Sequence, residues 1–182
     1  GPTAVYWPSI LLVDAYYRPL YRFAMSLTRH AAEASDITQQ TFAIWAAKGH
    51  QLRDPSKAKT WLFTTLHRAF LAWRRKGSRY RHHELEEVAA ELPPCHPEVE
   101  RAADCFPVLE GLAQVDEVYR PALALFYLED WSHREIAAVL EVPLGTVKSR
   151  IARGLAQLRN LLRDHEWSFS PTALQEPTRE GL

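Results

Sequence analysis

The chain has 182 residues with 22 Lys or Arg and 22 Asp or Glu, so its formal net charge is zero, and 47% of its residues are hydrophobic. This length predicts one or two small domains with real cores, and no apolar run approaches the roughly eighteen residues that span a membrane. We expect no signal peptide ahead of the first helix. Two cysteines, Cys95 and Cys105, are too few for a disulfide framework and favour a reducing, cytoplasmic compartment.

Charge is distributed unevenly along the chain. Residues 1–80 contain 12 Lys or Arg against 4 Asp or Glu, whereas residues 81–118 contain 2 against 10. Residues 132–163 are again basic, with 6 against 2. Zero net charge alone argues against a nucleic-acid-binding protein, but two basic modules separated by an acidic connector are compatible with one.

Apolar residues recur at helical spacing through most of the chain, and strand patterns are absent. The spacing predicts helices over residues 5–29 and 31–48. A third helix is predicted over residues 54–77, because Asp54 followed by Pro55 is a common helix start. We therefore predict an all-α protein.

Residues 78–107 contain four prolines and many glutamates, a composition that favours a flexible linker, mobile or only partly helical. Helical spacing resumes after it and continues to residue 129, with Pro121 in a first turn or at a kink. An acidic tail follows over residues 164–182. It is either a disordered end or a segment whose Trp167 and Phe169 dock on one of the domains.

Residues 132–159 have the pattern of a helix-turn-helix. Ser132 and Glu135 have the spacing of a capping box, and Val142–Gly145 cannot continue a helix because it contains a proline. Thr146 can cap the second helix, whose apolar positions recur every three or four residues. Its other positions form a polar, cationic face: Lys148, Ser149, Arg150, Arg153 and Arg159. This pattern predicts a helix that lies in a DNA major groove, although an amphipathic hairpin with a solvated basic face remains the alternative.

The third predicted helix interleaves aromatic and cationic residues. The aromatic residues are Trp61, Phe63, Phe70 and Trp73, and the cations are Lys57, Lys59, Arg68, Arg74, Arg75 and Lys76. Aromatic rings can stack on unpaired bases while Lys and Arg neutralise phosphates, which is how single-stranded nucleic acid is held. The alternative is that the aromatic residues are ordinary core and the cations a solvated face.

Both basic modules resemble parts of the bacterial extracytoplasmic-function (ECF, group IV) sigma factors of RNA polymerase. The first conserved domain of that family resembles LYRFAMSLTRHAAEASDITQQTFAIW followed by LRDPSKAKTWLFTTLHRAFLAWRRK. Its promoter-binding C-terminal domain resembles VYRPALALFYLEDWSHREIAAVLEVPLGTVKSRIARGLAQLR, in which GTVKSR is the most specific piece. The resemblance implies sigma domain two over residues 5–77, a linker over 78–107, sigma domain four over 108–163 and a tail over 164–182.

The resemblance implies a factor that binds core RNA polymerase and directs it to promoter DNA. The second domain would contact the double-stranded upstream (minus-thirty-five) element through Thr146, Lys148, Ser149, Arg150 and Arg153. The first would hold the single-stranded minus-ten element through Arg53, Lys57, Lys59, Trp61, Arg68, Arg74, Arg75 and Lys76. Core polymerase would be bound through Asp36, Gln39 and Gln40. An anti-sigma factor is the regulatory partner that the family implies.

The predicted polymerase-binding patch departs from the family pattern. The family usually has a more acidic patch than the neutral pair Gln39 and Gln40. Thr38 and Thr41 fall in the same segment. We therefore consider the hypothesis that a regulatory kinase supplies the missing charge, about −1.5 to −2 per phosphate.

Three further positions depart from the pattern. Arg68 and Ala72 stand where the family more often has Asn and Asp, which affects the expected minus-ten readout. Glu141 occupies the turn position at which a helix-turn-helix usually has Gly. A non-glycine residue in a left-handed conformation costs about 1–2 kcal/mol, so either Glu141 is strained or the turn differs.

Other functions are less well supported by the sequence. The spacing of His82, His83, Cys95, His96 and Cys105 matches no zinc motif, and we expect no metal and no cofactor. No catalytic motif or phosphate-binding glycine loop is evident, so we do not expect an enzyme. Two alternatives to a sigma factor are a conventional helix-turn-helix regulator that binds no polymerase and a sigma-like regulatory scaffold.

Overall fold

The computed structural model describes residues 9–80 and 106–164, and these residues form seven α-helices without a strand. The helices are α1 (Ser9–Thr28), α2 (Ala31–Lys48), α3 (Ala58–Tyr80), α4 (Phe106–Gln114), α5 (Arg120–Glu129), α6 (His133–Leu140) and α7 (Leu144–Asp164). The all-α prediction is confirmed. Within these ranges no helix combines the length and the apolarity needed to cross a bilayer.

Helices α1 to α3 pack together as the N-terminal domain. Their core is formed by large side chains with no exposed surface: Leu20, Phe23, Leu62, Phe63 and Leu66. Arg29 ends α1 in a left-handed conformation (φ 63°), and its N–H still donates to the carbonyl of Met25. Each fully buried aliphatic or aromatic side chain stabilises the fold by about 1.5–3 kcal/mol relative to an exposed one.

The cap predicted at Asp54 is present, but α3 itself begins at Ala58 and ends at Tyr80, later than predicted at both ends. Asp54 is the N-cap of a short 3₁₀ turn (Pro55–Lys57) that leads into α3, and its carboxylate accepts from the N–H of Ser56. The helix was expected to close at Gly77, yet it continues to Tyr80. A glycine inside an exposed helix costs only about 1 kcal/mol, so it does not by itself end one.

Helices α4 to α7 form the C-terminal domain. Pro121 lies in the first turn of α5, as predicted. The capping box of α6 has both hydrogen bonds, from the N–H of Glu135 to the Ser132 hydroxyl and from the N–H of Ser132 to the Glu135 carboxylate. At Gly154 of α7, an added Cβ would lie 2.6 Å from a methyl carbon of Leu123, so this glycine permits a close crossing of α5 and α7.

The turn of the helix-turn-helix differs from the prediction at one point. Glu141 does adopt the left-handed conformation (φ 56°, ψ 44°) and ends α6. Thr146, however, is not the cap of the second helix, because α7 begins at Leu144. The N–H groups of Thr146 and Val147 both donate to the carbonyl of Pro143, so the first helical turn starts directly after the proline.

The two domains share one continuous core. Trp131, in the short connection between α5 and α6, is only 4% exposed, and its ring centroid lies 4.9 Å from that of Phe63 in α3. Helix α5 packs on α1, and α6 packs on α3. The C-terminal domain therefore covers one side of α3.

Candidate nucleic-acid interface

Helix α7 has a buried stripe and a polar surface beside it. Val147, Ile151 and Leu155 are buried against the rest of the C-terminal domain. The five predicted upstream-element contacts all lie outside this stripe: Lys148 and Arg153 are exposed, and Thr146, Ser149 and Arg150 are half-buried. Both exposed cations therefore lie on the solvent-facing side of the second helix of the helix-turn-helix.

The predicted minus-ten contacts lie before α3 and along it. Arg53 and Lys57 are exposed on either side of Asp54. Hydrogen bonds from the hydroxyl (2.7 Å) and N–H (3.0 Å) of Ser56 lower the pKa of the Asp54 carboxyl, so it remains charged and fixes this turn. Within α3, Arg68, Arg74, Arg75 and Lys76 are exposed.

The aromatic residues of α3 serve mainly in packing. Phe63 and Phe70 are buried in the core. Trp61 is half-buried, and its ring meets that of Trp45 in α2 edge-on, with 5.1 Å between centroids. Trp73 stacks on Phe70 at 6.0 Å. The alternative of ordinary core residues holds for Phe63 and Phe70, while the half-buried Trp61 keeps an exposed edge.

Three of the predicted minus-ten contacts interact with the C-terminal domain. The guanidinium of Arg68 donates through two nitrogens to the Glu141 carboxylate, one of these bonds (Nε to Oε2) being 3.0 Å long. Arg74 pairs with Glu117 at 3.0 Å. The ammonium of Lys59 lies 4.6 Å above the ring centroid of Trp131. The cationic face of α3 is therefore partly covered by the other domain.

The ion pair between Arg68 and Glu141 shifts the pKa of both side chains so that each stays charged. The hydrogen bond to Arg68 lowers the pKa of Glu141, and the same bond raises the pKa of Arg68. Both side chains are at least half exposed, and such pairs contribute about 1 kcal/mol or less. The pair therefore orients the two domains more than it holds them together.

A buried ion pair links α1 to the end of α5. The Glu129 carboxylate, 5% exposed, accepts from two nitrogens of Arg22 at 3.1 and 2.9 Å. Burial raises the pKa of Glu129, and the neighbouring Arg22 opposes this rise. Removing one partner of such a pair leaves the other charge buried and unpaired, which is strongly destabilising.

Arg120 joins both domains through backbone carbonyls. Its side chain is buried and donates to Val115 (2.8 Å) and Leu112 (3.0 Å) at the end of α4, and to Leu27 of α1 (3.5 Å). Burial lowers the pKa of its guanidinium. The last carbonyls of a helix lack partners within the helix and carry partial negative charge, so they suit a buried cation.

The family comparisons match both domains. The Sigma-70 region 2 family model matches residues 12–80, and the Sigma-70 region 4 model matches residues 106–158. The ECF RNA polymerase sigma factor SigL of Mycobacterium tuberculosis is 30% identical over 156 residues, which are 84% of this chain and 88% of that protein. This chain belongs to the ECF sigma factors. It is an alternative sigma factor that directs RNA polymerase to promoters.

A further relative and a solved structure agree with this assignment, and a second solved structure shares the fold. The sigma factor is 34% identical to the ECF RNA polymerase sigma factor SigE of Mycolicibacterium smegmatis over 89% of its own length, and spans 64% of that relative. It superposes on RpoE from a complex with the anti-sigma factor NepR of Bartonella quintana with a TM-score of 0.68 and 26% identity, covering 85% of this chain and 96% of that one. CnrH, from a complex with the cytosolic domain of CnrY, has the same fold (TM-score 0.61, 22% identity, covering 86% and 88%).

The α2 patch of the sigma factor exposes the three predicted polymerase contacts but buries the neighbouring Thr38 and Thr41. Asp36, Gln39 and Gln40 are exposed. Thr38 and Thr41 have no exposed surface, and their hydroxyls donate to backbone carbonyls one turn earlier, at 2.7 and 2.8 Å. The hypothesis that a kinase modifies them is wrong for the folded sigma factor, because helical spacing turns both residues toward the core.

Some predictions fall outside the described residues of the sigma factor. They concern residues 81–105, which include the histidines and cysteines considered for zinc, and the tail with Trp167 and Phe169. Within residues 9–80 and 106–164, no group of three or more His, Cys, Asp or Glu side chains could hold a metal ion.

Sequence reasoning missed the residues that join the two domains. Arg22, Arg120 and Glu129 lie in segments that were interpreted only as helices of one domain or the other, and Trp131 lies in the connection between two such segments. One signal was available for Arg120, a single charge at the start of a segment that is otherwise apolar. The partners of the other three are distant in sequence, so no local pattern marks them.

Proposed function

We propose that α7 reads the upstream promoter element in the major groove, while the N-terminal domain (residues 5–77) holds the melted minus-ten strand and binds core polymerase. The observation that carries this proposal is the cationic surface of α7, with Lys148 and Arg153 exposed beside a buried stripe. Cations in this position neutralise phosphates and donate to base edges.

The minus-ten assignment is supported by the cations before and along α3. Arg53 and Lys57 flank a turn fixed by Asp54, and Arg75 and Lys76 are exposed near the end of the helix. The loop over residues 48–59 is the proposed site for flipped-out bases. Extruding a base costs a few kcal/mol, which base stacking and a fitted site can offset.

Several finer assignments complete the proposal. We infer that the protein is a group IV sigma factor, acts as a binding factor and not as an enzyme, and works in the cytoplasm beside polymerase and promoter DNA. The exposed Asp36, Gln39 and Gln40 would contact core polymerase, with lower affinity than an acidic patch would give. Similarity to a chain solved with an anti-sigma factor supports such a protein as the regulator.

Transcription from a promoter library tests the proposal. The protein is mixed with core RNA polymerase, and initiation sites are mapped. In the variant K148A/R153A we expect at least a tenfold loss of upstream-element-dependent initiation with unchanged core binding, because two or more groove contacts are lost. R159A/R163A removes two exposed cations near the end of α7, outside the five predicted upstream-element contacts, so it is the charge-matched control and should retain activity.

Two results would overturn the proposal. One is double-stranded DNA binding without core polymerase and without initiation, which is the behaviour of a conventional regulator. The other is core binding without initiation at any promoter, which is the behaviour of a regulatory scaffold.

A further inference from the structure

Carboxylates of the C-terminal domain lie where the proposed function requires promoter phosphates. Glu141 pairs with Arg68, and Glu117 pairs with Arg74 at 3.0 Å. Both arginines belong to the proposed minus-ten surface of α3. A cation hydrogen-bonded to a carboxylate oxygen cannot at the same time donate those hydrogens to a phosphate oxygen.

Glu141 is held in a conformation that favours this contact. It occupies the turn of the helix-turn-helix with φ 56°, a region that glycine adopts without steric cost and other residues rarely adopt. The side chain that glycine would lack is the one that reaches Arg68. The ion pair thus gives one reason both for a glutamate in this turn and for an arginine at position 68.

The exposed pairs do not supply the energy that holds the domains together. Arg68 and Glu141 are 63% and 50% exposed, and Arg74 and Glu117 are both 48% exposed, so each pair is weak. The buried contacts dominate: Trp131 on Phe63, and Arg22 on Glu129. The exposed pairs therefore determine which cations of α3 are covered while the domains are packed together. The buried contacts determine how often the two domains separate.

We propose that Glu117 and Glu141 act as internal substitutes for promoter phosphates, so that the C-terminal domain blocks the minus-ten strand from α3 until the two domains separate. This inference rests on the proposed role of α3 in DNA binding. It makes the packed arrangement self-inhibiting without a partner protein. Separation frees Arg68 and Arg74 and, with them, Lys59 from the face of Trp131.

Binding of single-stranded DNA to the full chain tests the inference. The probe is labelled oligodeoxythymidine of about 20 nucleotides, long enough to follow a basic groove, and affinity is measured by fluorescence anisotropy at low salt. E117Q/E141Q should bind about fourfold more tightly than the parent, because each of the two exposed pairs competes by a factor of about two.

A matched control removes the same charge elsewhere. D14N/E110Q neutralises two exposed carboxylates, one on α1 and one on α4, and should change affinity less than twofold. An equal gain in this control would mean that only net charge matters, which would overturn the inference.

A second variant separates the domains without altering the cations of α3. R22L leaves Glu129 buried without a partner, so small-angle X-ray scattering should show a larger radius of gyration and circular dichroism an unchanged helix content. DNA affinity should rise at least as much as in E117Q/E141Q. Separation without a gain in affinity would overturn the inference.

Adding R68A/R74A to R22L distinguishes a failure of the proposed DNA-binding role of α3 from a failure of the inference about Glu117 and Glu141. Loss of the gained affinity is the expected result. If affinity stays high, α3 does not bind DNA through these arginines, and the proposed function of α3 fails together with this inference. If affinity falls in R68A/R74A but never rises in E117Q/E141Q, only the inference fails.

Discussion

Arg68 and Glu141 are 73 residues apart in the chain and form a two-point ion pair between α3 and the turn of the helix-turn-helix. Arg68 stands where the family that the sequence resembles more often has Asn, and Glu141 stands where a helix-turn-helix usually has Gly. Neither departure had an explanation within its own domain. The ion pair explains both residues together, because the positively charged side of α3 and the turn before α7 meet in the packed protein.

The strain at Glu141 can be measured by comparing two substitutions. E141G and E141A both remove the carboxylate, but only glycine adopts φ 56° without steric cost. We expect E141G to be more stable than E141A by about 1 kcal/mol in urea unfolding at equilibrium. Equal stabilities would mean that the turn relaxes and stores no strain.

The buried pair of Arg22 and Glu129 should behave as a coupled unit. R22L alone leaves a carboxylate that is 5% exposed without its cation, and we expect a loss of about 3–5 kcal/mol in the free energy of unfolding. R22L/E129M removes both charges and should recover to within about 1 kcal/mol of the parent. Urea denaturation of the parent, both single variants and the double variant gives the coupling energy. Additive losses would contradict it.

His67 should make the protein less stable in mild acid. Its side chain is buried, and burial together with the nearby Arg150 and Arg74 lowers its pKa to about 4, although Glu141 opposes this shift. The unfolded chain binds a proton at an ordinary pKa near 6.5 and the folded chain does not, so stability is complete above pH 6.5 and falls below it. Between pH 7.5 and 5.5 the loss should be about 1 kcal/mol.

The pH effect has an internal control. H67Q should abolish this part of the pH dependence, whereas H50Q, at an exposed histidine, should retain it. The raised pKa of Glu129 has the opposite sign, since protonation of that carboxyl is easier in the folded state. Comparing H67Q with the parent at each pH therefore isolates His67. An unchanged slope in H67Q would contradict the assignment.

Substitutions in α2 should have different effects on stability at the buried Thr38 and at the exposed Gln39 and Gln40. T38E places a carboxylate at a position with no exposed surface, and we expect a loss of 3 kcal/mol or more, about the scale for a buried, unpaired charge. Q39E/Q40E adds two carboxylates to an exposed patch and should stay within about 0.5 kcal/mol of the parent. Thermal denaturation measures the first effect. Binding of core polymerase should improve only in Q39E/Q40E, and a gain in T38E would restore the kinase hypothesis.

Local rules predicted most of the helices and their caps. The capping box at Ser132 and Glu135, the cap at Asp54 and the left-handed Glu141 all depend on residues a few positions apart. The predicted helix ends were wrong where a single residue was taken as sufficient evidence for the end or the start of a helix. Gly77 did not end α3, because one glycine costs too little, and Thr146 did not cap α7, because Pro143 already provides the accepting carbonyl.

The amino-acid sequence by itself determined the family and the order of the helices, and it predicted the cations proposed to contact DNA, since these depend on local spacing and side-chain chemistry. Only the tertiary structure decided which of those cations are covered. Pairing Arg68 with Glu141 and seating Trp131 on Phe63 requires segments far apart in the chain to meet. Such contacts depend on how apolar surfaces of the two domains fit together, and no periodicity within either domain encodes that fit.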